Sequence, residues 1–137
     1  MKTTNSISKA LAITITAYCL TIGPASAQSK APQMSIEALY ASYIRSDQNA
    51  IDMPEYDKTL KISAVKIESS EAFGGSGLIL SAGSVKGGPT LARLVGFDQA
   101  ESSKIASLMP GKAFKAICTV AFNMNSGYVS LNKCVFS

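Results

Sequence analysis

Large apolar side chains fall at Ile36, Leu39, Tyr40, Tyr43 and Ile44, the i, i+3, i+4, i+7, i+8 spacing of one helix face. Ser35 stands where an N-cap belongs, and Glu37 sits in the first turn, where the helix dipole favours an anion. Pro54 disfavours helix through Met53, so this helix should fade near residues 46–49. From Thr59 the period changes to two. Leu60 and Ile62 point one way, but Val65 and Ile67 follow after an odd step, which predicts a β-bulge near Ser63 and Ala64. Two more strands are expected at 78–80 and 91–97, set apart by glycine-rich loops at 74–77 and 83–89. Asp98 then caps a second helix with Ile105 and Leu108 inward, and Pro110-Gly111 stops it.

The chain closes on two alternating runs around Asn125-Ser126-Gly127. In the first, Phe114, Ala116, Cys118, Val120 and Phe122 share a face. In the second, Val129 and Leu131 form the inward pair, yet steps of two from them reach Lys133 and miss Cys134. A three-residue loop sets Cys118 opposite Cys134, so the reading predicts a second bulge at Asn132 and Lys133.

Whether those thiols pair depends on compartment, and the other end of the sequence bears on that. Lys2 and Lys9 precede an apolar stretch from Ala10 to Ile22, shorter than the ~20 residues a membrane-crossing helix needs. Gly23-Pro24 and then Ala25-Ser26-Ala27 follow, the pattern of a signal-peptidase site. The expectation is a cleaved signal peptide over 1–27, a flexible leader over 28–34 and one domain over 35–137, periplasmic or secreted. Cys19 is read as a passenger in the discarded peptide, because Tyr18 before it does not suit lipidation. Two cysteines remain in an oxidising compartment, and Cys118 and Cys134 are expected to form a disulfide. Without Lys2 and Lys9, 11 basic residues face 9 acidic ones. That mild excess is a poor lure for nucleic acid.

Five short strands, bulged where a barrel must bend, with a helix between the third and fourth, follow the order of an OB-fold. The expected class is therefore mainly β with two helices, a five-stranded OB-fold barrel preceded by an N-terminal helix. Short stretches also resemble the tRNA-anticodon-like family of exported bacterial OB-fold proteins. They are Asn49-Ala50, Tyr56-Asp57-Lys58 leading into Leu60-Lys61-Ile62, Leu108-Met109-Pro110-Gly111-Lys112, and Val129-Ser130-Leu131-Asn132-Lys133-Cys134. The resemblance implies a fold and no particular activity.

Little in the chain suggests chemistry. There is no His, which removes the commonest general base, and no Trp. Gly111-Lys112 is not a phosphate loop, since Ala106 and Ala113 stand where Gly and Ser/Thr are needed. Asp52, Glu55 and Asp57 surround Tyr56 and read as a solvated loop rather than a cation or hydrolytic site. No enzyme activity, metal or cofactor is expected. OB-folds bind ligands across their second and third strands, framed by two loops, which singles out Phe73, Lys86, Arg93, Asn125 and Tyr128. A non-catalytic module engaging a protein partner, as adaptor or inhibitor, ranks first. A module for an oligosaccharide or single-stranded nucleic acid is the alternative, with nucleic acid not expected.

Overall fold

The computed structural model describes residues 31–72 and 77–137. The expected signal peptide, Cys19 and Phe73 lie outside the described residues. Its elements are β1 (Gln33–Ser35), α1 (Ile36–Arg45), β2 (Thr59–Glu71), β3 (Leu78–Gly83), β4 (Ala92–Gly96), α2 (Gln99–Ser107), β5 (Ala113–Val120) and β6 (Val129–Phe136). Strands β2 to β6 are hydrogen-bonded in the order β2-β3-β4-β6-β5, and a β2–β5 pairing closes the circle. With α2 bridging β4 and β5, and β4 parallel to β6, this is the OB-fold barrel the element order predicts. Gln33 and Met34, read from sequence as leader, already belong to β1, which runs parallel to Lys61–Ser63 of β2.

Helix α1 follows its sequence signature. Ser35 Oγ accepts a 3.1 Å hydrogen bond from Ala38 N, and Ile36, Leu39 and Tyr43 are fully buried. Ile44, expected on that face, is exposed. Asp47 and Gln48 then turn the chain with φ of 56° and 57°, which ends the helix.

The bulge expected at Ser63 and Ala64 does not form. Leu60, Ile62, Ala64 and Lys66 are all buried, so the inward alternation runs through the site unbroken. Strand β2 pairs with β5 without a slip from Thr59 to Val65, and its irregularity comes later, between Lys66 and Glu68 against β3. The reason is Lys66, which sequence reading turns outward. It is only 3% exposed, and its Nζ donates to Ile105 O (2.9 Å) and Leu108 O (2.5 Å). Those carbonyls lie at the C-terminal end of α2, where helix oxygens run short of donors: Ile105 O has only the N–H of the C-cap Leu108 (3.2 Å) besides the lysine, and Leu108 O belongs to that cap residue itself. The lysine stem thus fills core while its ammonium caps a helix. Burial lowers its pKa below the usual 10.5.

The second bulge forms where expected. Cys118 and Cys134 are joined in a disulfide, with Cα atoms 4.2 Å apart. The β5–β6 register slips by one residue between Ile117–Val135 and Thr119–Asn132, which leaves Lys133 as the extra residue. Its φ is 54°, and the same residue is skipped in the pairing with β4, where Leu94 meets Leu131 but Gly96 meets Cys134. The three-residue turn does not form: β5 ends at Val120, and Phe122 is 58% exposed.

Candidate ligand-binding face

Strand β4 buries Ala92 and Leu94 and turns Arg93 and Val95 outward. Arg93 pairs with Ser130 of β6, and Val95 with Ile79 of β3. These side chains, with Tyr128 and Asn132, line a depression of about 280 Å³ on the outside of the barrel. Arg93 Cζ lies 4.4 Å from the centre of the Tyr128 ring, within cation–π range. Oδ1 of Asn132 is buried without a hydrogen-bond partner.

Tyr128 is held in place by the organisation of its loop. Asn123 Nδ2 donates to Tyr128 O (2.6 Å), and Asn123 Oδ1 accepts from Ser126 Oγ (2.7 Å). Ser126 N donates to the hydroxyl of buried Tyr43 (3.1 Å), while Ala50 N reaches Asn123 O and Asn125 N reaches Gln48 O. The loop is therefore fastened to α1 and the turn after it, and the aromatic is preorganised on a rigid mount.

Of the residues singled out from sequence, Arg93 and Tyr128 come together. Asn125 is exposed on the same loop, with φ 57°, but does not line the depression. Lys86 belongs to the β3–β4 loop, and its stem lies where a Cβ on Gly111 would collide with it, so it serves another part of the surface. Ile79, Val95, Ser130 and Asn132 were missed. Their signal is the outward phase of β3, β4 and β6, which becomes readable only once the register is known. The acidic residues have structural employment. Asp52 accepts from Asn49 Nδ2 (3.0 Å), Glu55 from Ser42 Oγ (2.6 Å), and Asp57 turns the chain at φ 63° with its N–H on Val120 O.

A larger hollow of about 500 Å³ lies between α2 and the β5 and β6 strands. Leu108, Phe114 and Phe136 form much of its wall, and its cation, Lys104, is held by Glu101 at 3.1 Å and by Phe136 O. It is the seam of helix and barrel, whereas the β4 face combines an open aromatic edge with a cation. These features define an OB-fold barrel with an arginine–tyrosine pair beside a depression on its outer face.

No family model matches the chain, and no curated protein does. Among solved structures it is similar to a protein of Klebsiella pneumoniae subsp. pneumoniae named "putative nucleic acid-binding lipoprotein". The TM-score is 0.62 at 15% identity, over 82% of this chain and 96% of that one. The likeness is one of fold. Its direction corrects the partner ranking from sequence, which put a protein first and did not expect nucleic acid: the neighbour's name points to nucleic acid. The sequence ranking leaned on net charge, which averages over a surface and hides how charge is distributed. No helix among the described residues is long and apolar enough to cross a membrane.

Proposed function

We propose that this chain is a non-catalytic, exported OB-fold module that binds single-stranded nucleic acid on the Arg93–Tyr128 face. The observation that carries this reading is the guanidinium 4.4 Å from the Tyr128 ring above an open depression. An aromatic face with a cation is what OB-folds use to stack successive bases without choosing among them. Export to the periplasm is supported by the signal-peptide pattern at the start of the sequence and agrees with a lipoprotein among its structural neighbours. Membership of the tRNA-anticodon-like family is supported by the short stretches that resemble it. An oligosaccharide is the second reading, because sugar rings also stack on tyrosine.

The test is fluorescence anisotropy with labelled oligo(dT) and with a neutral glycan. Tyr128→Ala should weaken oligonucleotide binding roughly five- to 150-fold, the loss of about one stacked base. Unchanged affinity in that variant would refute the site, and binding of the glycan alone would refute the nucleic-acid reading.

A further inference from the structure

The nine acidic residues of the chain are segregated on the fold. Glu37, Asp47, Asp52, Glu55 and Asp57 lie on α1 and the turn after it, Glu68 and Glu71 on the far half of β2, and Asp98 and Glu101 at the start of α2. Strands β5 and β6, and β2 from Thr59 to Val65, carry none. The same stretches carry Lys61, Lys115 and Lys133 on their outward phase. Among the described residues the ion pair found is Lys104–Glu101, and none of these three lysines forms one.

Register joins this basic face to the depression. Asn132 lines the depression and stands opposite Thr119 of β5, which stands opposite Thr59 of β2. One step along, Lys133 bulges outward, and Val135, Ile117 and Lys61 form the next row across the three strands. Lys115 pairs with Ser63 in the row beyond. From β4 to β2 the path crosses three strand spacings, about 14 Å. It offers cations interleaved with half-exposed Ile117 and Val135 and with threonine hydroxyls, and the strands themselves carry no acidic side chain; Glu37 stands at the far end, beside Ser63.

We propose that this face of β6, β5 and β2 carries the phosphate backbone of a single strand whose bases reach the Arg93–Tyr128 depression. The ligand is then a polyanion rather than a neutral sugar polymer. This rests on the nucleic-acid reading above and adds to it a second surface, turned around the barrel from the stacking face.

The salt dependence of binding tests it. Each phosphate neutralised on a single strand adds about −0.7 to the slope of log K against log salt. The protein, expressed from the full-length sequence, is titrated with labelled oligo(dT) of about 16 nucleotides between roughly 50 and 200 mM salt. Lys61→Gln, Lys115→Gln and Lys133→Gln together should flatten the slope by about 2, whereas Tyr128→Ala should lower affinity at an unchanged slope. If thermal melts show that the triple variant does not fold, Lys115→Gln alone should flatten the slope by about 0.7. An unaltered slope in the folded variant overturns the phosphate track and leaves the stacking site standing. Failure of the unmodified protein to bind either DNA or RNA single strands overturns both. Lysine-dependent binding to vesicles containing phosphatidylglycerol, without oligonucleotide binding, would assign the face to a membrane and also overturns the proposal.

Discussion

A single lysine accounts for the largest departure of β2 from its sequence pattern. At the level of residue types, Lys66 between Val65 and Ile67 reads as the polar partner of two inward side chains. In the fold the phases are reversed, because the C-terminal end of α2 needs donors and a long stem can deliver one from inside the barrel. Nothing in the sequence announces that a carbonyl 39 residues away will be waiting. The consequence for pH is unusual. A lysine whose pKa is lowered in the folded state releases its proton there before the unfolded chain does. Between the lowered value and 10.5 the unfolded chain therefore binds more protons, so stability rises with pH. Urea midpoints of the wild type and Lys66→Met should diverge in that window, with the wild type gaining relative to the variant as pH climbs. Parallel curves would mean that the ammonium is not desolvated.

Among the elements, β6 is the one whose shape was most legible. The parity conflict among Val129, Leu131 and Cys134 requires an inserted residue, and the structure puts it at Lys133. Helix α1 was equally open to reading, because its period and N-cap agree. The β5–β6 connection was not. Asn125-Ser126-Gly127 has turn composition, but the loop takes its conformation from Tyr43, Gln48 and Ala50, which are distant in sequence. Phe122 was displaced to the surface with it. The same non-local registers decide which outward residues meet at the depression, so Arg93 and Tyr128 could be named individually while Ile79 and Asn132 could not. Lys133 itself offers a check on the bulge. A left-handed backbone at φ 54° suits glycine and penalises a β-branched side chain. Lys133→Val should cost about 1–2 kcal/mol of unfolding free energy, while Lys133→Gly should stay within about 0.5 kcal/mol of wild type. Equal effects in chemical denaturation would place the extra residue elsewhere.

At the level of the molecule, the barrel is held at its last seam by a covalent bond. The cysteines are separated by 16 residues, and cross-linking a loop of that size stabilises by about 3 kcal/mol in the chain-entropy account. Cys118→Ala with Cys134→Ala should lower the unfolding free energy by about that amount, measured in urea. A loss below about 1 kcal/mol would mean that the closed sheet does not need the link. Charge is likewise a property of the whole. The balance of lysines and acids suggested indifference to polyanions, and only the closed barrel gathers Lys61, Lys115 and Lys133 on acid-free strands.

Both cysteines are buried on the inner face of the barrel, with Cys118 1% and Cys134 0% accessible. No enzyme that makes or breaks such bonds can touch them once the staves have met. Oxidation accordingly belongs to the birth of the molecule, while its final two strands are still apart. A copy that shuts too soon is sealed in the dithiol form until it opens again.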